Sequence, residues 1–234
     1  SPPLEYGRAI QVFSEGIERH PRDARMYRHR GHRYITVRRF DDAIRDLQRA
    51  VELTRGAPDE IEPDGAPNQY NVPTSTLQSN IWYHLALAHY LEHDFEAALP
   101  AWRQALAGST TDDMRVASAD WLYMTLRRLG RDEEAAVVLA PISADMRILE
   151  NDAYHRRLLM YKEVIAPDEL MRADTDDPVQ LATYGYGLGN WYLYNGDATR
   201  ARSIFERILR GANWAVFRFI AAEAELPPQS ATGR

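Results

Sequence analysis

Large apolar residues recur along this chain at intervals of three and four, the spacing that puts them on one face of a helix. No segment alternates polar and apolar residues for long enough to build a sheet. The pattern also repeats over a longer distance. Phe40, Ala43, Leu47 and Ala50 return 34 positions earlier as Tyr6, Ala9, Phe13 and Gly16, and 55 positions later as Phe95, Ala98, Trp102 and Ala105. Tyr27, Gly31 and Tyr34 map under the second shift onto Trp82, Ala86 and His89. The longer shift is one 34-residue repeat plus an insertion of 21 residues. Further copies centre on Ala135 with Leu139 and Ile142, and on Ala201 with Phe205 and Ile208. Small residues such as Ala43, Ala98 and Ala201 fit points where two helices cross closely. Short polar turns separate the paired helices at Arg38-Arg39, His93-Asp94, Gly130-Arg131 and Asn195-Gly196-Asp197.

The first helix of each pair reads Tyr27-x2-Arg30-Gly31-x2-Tyr34, Trp82-x2-Leu85-Ala86-x2-His89 and Gly185-x2-Leu188-Gly189-x2-Tyr192. The second reads Ala9-x3-Phe13, Ala43-x3-Leu47, Ala98-x3-Trp102 and Ala201-x3-Phe205, and Pro21 ends the first copy. On these residues the sequence resembles the tetratricopeptide repeat (TPR), over most of its length. It departs from the pattern at Arg30, where leucine is usual, in a weak third copy and in the insertion. It is also similar to bacterial TPR proteins that carry HRGHRY and NWYLYNG segments, a likeness that implies no particular activity. The resemblance implies an all-α, right-handed α-solenoid of about five helix-turn-helix units.

The expected division is a single solenoid domain over 1–234. Residues 1–21 form the second helix of an incomplete repeat, and repeats follow at 23–54, 79–108, 112–142 and 179–210. A Pro-rich insertion occupies 55–78, an irregular repeat 145–177, and a helix at 213–226 caps the stack. Within the irregular unit, the pattern predicts one strong helix over Asn151 to Ile165 and a short one over Pro167 to Ala173. The chain begins inside a repeat, so either upstream residues have been removed or residues 1–20 pack on another chain. An apolar patch around Phe13 and Ile17 would serve homo-oligomer contacts through the terminal repeats.

Composition narrows the chemistry. Lys+Arg total 28 against 34 Asp+Glu, a net charge of −6, which disfavours a general nucleic-acid binder. No run approaches the ~20 apolar residues of a membrane helix. Cysteine is absent and Lys162 is the only lysine, which removes thiolate metal sites, Cys nucleophiles and P-loop lysines. His89 and His93 stand four apart without a third ligand, so no metal and no cofactor is expected. No catalytic motif is present, and the chain is read as non-enzymatic. The compartment stays open between the cytoplasm and export with a leader removed.

The resemblance places function on the concave face, lined by the first helix of each pair. That face takes Arg25, Arg28, His32 and Thr36; then Asn80, Tyr83, Leu87 and Tyr90; then Asp120, Met124 and Arg127; then Thr183, Tyr186, Asn190 and Tyr194. Tyrosine supplies rigid amphipathic area and arginine forked donors, which suits a protein or peptide partner of acidic character. Arg25, Arg28, His32, Asn80, Tyr83, Tyr90, Arg127, Tyr186, Asn190 and Tyr194 are the candidate partner-binding residues. Arg28 and His32, one turn apart, form the expected ligand-facing pair. The crowded basic helix at 27–39 has a second reading, internal neutralisation by Asp41, Asp42, Asp46 and the acidic insertion Asp59, Glu60, Glu62 and Asp64; Arg30 in particular needs an internal partner. The resulting function is a non-catalytic interaction scaffold. The alternatives are a self-assembling subunit of a larger complex, or a small-anion-binding protein or enzyme with a pocket closed by residues 55–78.

Overall fold

In the computed structural model, which describes residues 2–62, 68–172, 178–211 and 214–226, the first helix of every hairpin stops in the same way. The inner helices are α2 (Ala24–Thr36), α4 (Leu77–Leu91), α6 (Asp112–Arg128), α8 (Asp152–Tyr161) and α10 (Pro178–Tyr194). The second residue past each end adopts a left-handed backbone: Arg38, His93, Gly130, Glu163 and Gly196, with φ between 60° and 91°. The following amide reaches back to the last turn, as Arg39 to Tyr34, Asp94 to His89, Arg131 to Leu126, Val164 to Leu159 and Asp197 to Tyr192, all at 2.8–3.0 Å. This is the Schellman stop, which satisfies carbonyls that the helix end would otherwise orphan.

Each turn returns the chain along an outer helix: α3 (Phe40–Thr54), α5 (Phe95–Ala107), α7 (Asp132–Leu139), α9 (Pro167–Arg172) and α11 (Ala198–Leu209). Starts are capped by side chains. Asp23, Thr76, Asp94, Thr111 and Asp197 each accept from a backbone N–H of the first helical turn. Thr76 and Ser79 form a reciprocal capping box. Inside the hairpins, Ala43, Ala86, Ala98 and Ala201 are buried where the helices cross. At Gly189 the crossing is closer still, because a Cβ there would lie 2.6 Å from the Phe205 ring. Successive hairpins stack through α3 on α4 and α5 on α6, and one apolar core runs from Tyr34 to Ala222.

Helix α1 (Pro2–Arg19) packs on α2 as the second helix of a preceding pair would. Phe13 is half-buried, with its ring 5.5 Å from that of His29, while Leu4 and Val12 are 73% and 57% exposed. The insertion is pinned to the stack. An isolated antiparallel bridge joins Ile61 to Thr76, and Leu77 N–H donates to the Glu60 carbonyl at 2.8 Å.

Two expectations are corrected. The strong helix expected to reach Ile165 ends at Tyr161, because Glu163 turns left-handed and repeats the hairpin stop. The C-terminal helix α12 (Phe217–Ala224) packs on α10 and α11 and does more than cap the end of the stack. It also reaches the inner helices, where Phe217 meets His32 of α2 and His84 of α4 at ring distances of 5.1 and 5.6 Å. Arg218 stacks 4.3 Å from the Tyr154 ring of α8, and Glu225 bonds Arg128 of α6 at 2.7 Å. The segment before it touches the far end of the chain, with Trp214 edge-on to Tyr6 at 5.5 Å.

Glu163 is exposed and carries a side chain where glycine is the unstrained choice. Glu163→Gly is expected to stabilise the fold by about 1 kcal/mol, the usual cost of a left-handed non-glycine residue. A thermal melt should shift upward by about 2–4 °C.

Candidate functional site

The structure sorts the polar residues of the inner helices into three groups. The first surrounds Glu62, which the insertion delivers to the basic helix. Glu62 pairs with Arg28 at 3.0 Å, accepts from Asn80 Nδ2 at 2.5 Å and lies 3.3 Å from His29 Nε2. The internal reading of the basic helix therefore holds for Arg28, which was expected to face a ligand. His32 stays beside it, its Nδ1 3.4 Å from Arg28 Nη1, but faces Phe217 and lies 4.7 Å from the His84 ring. Arg30 also finds its partner internally, donating twice to Asp46 at 2.7 Å.

Electrostatics keep these histidines neutral. Burial, then the charges of Arg28, Arg33 and Arg25, hold His29 down to about 4. Burial holds His32 and His84 well below the usual 6.5, with Arg28 adding to both and His84 adding to His32. The hydrogen bonds fit neutral rings: His29 Nδ1 accepts a hydrogen bond from Arg28 Nη1 at 3.2 Å, and His84 Nδ1 donates to the Asn80 carbonyl at 2.6 Å.

The second group lies at the centre. Asp120 of α6 meets Arg157 of α8 at 2.5 Å, both wholly buried, and Arg157 also donates to the Thr183 carbonyl of α10 at 3.0 Å. Burial pushes Asp120 up to about 6, against the opposing pull of Arg157 and Arg218. Gly187 makes the room, since a Cβ at that position would lie 2.1 Å from Arg157 Nε. Beside this pair, Trp121 Nε1 donates to the Tyr83 hydroxyl at 2.7 Å, and the Tyr83 and Tyr154 hydroxyls are 2.8 Å apart.

The third group is a socket for one carboxylate. Asn190 Nδ2 donates to the Tyr90 hydroxyl at 2.6 Å, and the hydroxyls of Tyr90 and Tyr186 are 2.9 Å apart. Tyr186 donates to Glu225 at 3.2 Å, Arg128 donates to it at 2.7 Å, and His93 Nε2 lies 3.7 Å away. At the rim, Arg127 stacks on Tyr194 at 4.4 Å and bonds Asn195 and Asp132.

Of the ten candidate residues, the structure brings Tyr90, Tyr186 and Asn190 into one network, and Arg28, His32 and Asn80 into another. Tyr83 belongs to the central group, and Arg127 with Tyr194 flanks the socket. Arg25 stands apart. It is exposed, folds back onto its own helix cap Asp23, and borders an open cleft of about 570 Å³ with His20, Glu60 and Leu77. The residues that sequence reasoning missed are Arg38, His93, Arg128, Arg157, Arg218 and Glu225. Arg38 and His93 were legible as turn residues, but nothing in the repeat pattern says that a later helix meets them. Among the described residues, no cluster of three or more His, Asp or Glu has metal-binding geometry, and no helix is long and apolar enough to cross a membrane.

Two outcomes follow. His29, His32 and His84 have folded pKa values depressed below the unfolded 6.5, so their contribution is intact above pH 6.5 and lost as the pH falls toward 4. Asp120, raised to about 6, works in the opposite sense but is one group against three. Urea unfolding should show stability falling between pH 7 and pH 5, with a shallower slope in His84→Gln by up to about 1.4 kcal/mol per pH unit. Gly187→Ala must displace Arg157 from Asp120 and should cost roughly 3–5 kcal/mol, the range for breaking a buried ion pair. A Gly187→Ala protein of unchanged stability would contradict the buried position of Arg157.

No family model matches this chain, and no curated protein matches it. Among solved structures, YrrB, described as a TPR protein with an unusual peptide-binding site, aligns with a TM-score of 0.47 and 14% identity. The alignment covers 95% of this chain and 84% of that one. Stacked hairpins with one shared turn, and small residues at their crossings, make this chain a TPR-like helical-repeat protein.

Proposed function

We propose that this protein is a non-catalytic interaction scaffold that binds a peptide or protein segment along its concave face. The observation that supports this reading is α12 itself. The face holds a helical segment through side chains drawn from α2, α4, α6, α8 and α10. A surface that grips one helix with rings, arginines and hydroxyls from five elements has the shape and chemistry to grip another. Tyrosine and arginine, the residues that most often anchor protein interfaces, dominate that lining. Tyr83, Tyr90, Tyr186 and Asn190 are its floor, and Arg28, His32, Asn80, Arg127 and Tyr194 its sides.

Site-specific photo-crosslinking in the source cells tests this. A photoreactive residue at Asn80 or Tyr194 should capture a partner protein, while one at Arg103 on α5 or Arg202 on α11 should not. Crosslinks confined to the outer helices would overturn the groove assignment. Crosslinks between two copies through Leu4 or Val12 would assign the protein to self-assembly instead.

A further inference from the structure

The hold on α12 is part apolar and part polar. Its fully buried apolar side chains are Ile220, Ala221 and Ala222, and Phe217 and Phe219 are partly buried against the core. Its polar contacts are numerous and come from far apart in the chain. Glu225, with a side chain only 3% exposed, sits in the socket of Arg128, Tyr186 and His93, backed by Tyr90 and Asn190. Glu223 pairs with Arg38 at 2.8 Å, and Arg38 also donates to the Trp214 carbonyl at 2.8 Å. Phe217 stands against the His32 and His84 rings at the opposite end.

The receiving side is costly to keep. Arg38 and His93 occupy left-handed turn positions that Gly130 and Gly196 fill elsewhere in the stack, and both point their side chains at the acidic end of α12. Unlike the exposed Glu163, whose strain nothing offsets, both residues make contacts that hold them there, Arg38 to Glu223 and His93 beside Glu225. An eight-residue helix is not stable alone, so α12 is helical because the groove holds it.

On the groove reading above, we propose that α12 is an intramolecular stand-in, and that the partner is an amphipathic helix of a second protein with the same chemistry. That helix carries an aromatic ring for the His32–His84 site and, eight residues later, a glutamate for the Arg128 socket. Charge complementarity selects it: Arg38 and Arg128 pair with carboxylates, and a neutral or basic helix end would leave the largely buried Arg128 guanidinium without its partner. The tether gives α12 a high effective concentration, so a partner needs more contact length than α12 has. The same competition lowers the apparent affinity of the closed protein.

The test uses the full chain and a fluorescein-labelled peptide with the sequence of residues 214–226, followed by anisotropy. Wild type should bind it weakly. The double variant Phe217→Ala, Glu225→Ala should bind it at least ten-fold more tightly, with faster amide exchange across 217–224. The single variant Glu225→Gln changes little of the fold and should bind the peptide several-fold more tightly than wild type; it decides the matter if the double variant does not fold. A peptide with glutamine at the position of Glu225 should bind the double variant at least ten-fold more weakly than the native peptide. Adding Arg128→Ala to that variant should give a similar loss. If the two peptides bind alike, the carboxylate socket is not the selector, and the inference falls while the groove reading stands. If α12 in the double variant exchanges as slowly as in wild type, it is a fixed part of the core and the inference is overturned. If α12 is released and neither peptide binds, the inference is also overturned, and the crosslinking at Asn80 and Tyr194 then decides the groove reading independently.

Discussion

The arrangement of the inner helices depends on one buried ion pair. Asp120 and Arg157 meet at 2.5 Å with no solvent contact, in a chain that could have placed two leucines there. Burying such a pair adds little net stability over an apolar pair, but losing either partner strands a charge in the interior. The guanidinium answers three helices at once: Asp120 of α6, Tyr161 of its own α8, and the Thr183 carbonyl of α10. Gly187 is shaped to that guanidinium, so α10 cannot shift along α8 without a clash. The pair thus fixes the spacing of the last three inner helices, and with it the shape of the face on which α12 rests.

That face is polar, and a polar face in a solenoid must be either wet or answered. Here it is answered. Tyr83, Tyr90, Tyr154 and Tyr186 are buried, and their hydroxyls bond one another or Trp121, Asn190 and Glu225. Burial raises the pKa of Tyr83, Tyr90 and Tyr186, so these hydroxyls remain protonated donors and acceptors at any physiological pH. The insertion completes the same accounting at the other end by bringing Glu62 to Arg28 and Asn80. Two segments outside the repeats, one loop and one helix, therefore neutralise the groove that the repeats create.

The repeats were legible because their physics is local. A small residue at a crossing, an aromatic one turn away and a polar turn each leave a mark at fixed spacing, as at Gly31, Tyr34 and Arg38. Most of the concave lining followed from the same register, which is why Tyr90, Tyr186 and Asn190 were found before their network was seen. The occupant was not legible. Nothing in Glu223 announces a position 185 residues from Arg38 in sequence and within hydrogen-bonding distance in space. The partner of Arg28 was not legible for the same reason: its counter-charge sits in an insertion with no period, so spacing gives no way to rank Glu62 above Asp59 or Glu60. Helix α8 ran too long in the reading because a left-handed glutamate at 163 has no sequence signal comparable to glycine.

The five hairpin turns give an internal control on what is structural and what is recruited. All five need the same left-handed residue, and two use glycine, the unstrained solution. Glu163 is exposed, so its side chain adds nothing that offsets the strain. Arg38 and His93 differ: both are the last residues of the first two stops, and both reach the acidic end of α12. A repeat protein optimised only to stack would carry glycine at 38 and 93, as it does at 130 and 196. The departure is concentrated on the side of the stack that meets Glu223 and Glu225. Strain at these turns and the charge of α12 thus belong to one arrangement, in which two turn residues of the repeat meet the acidic end of the last helix.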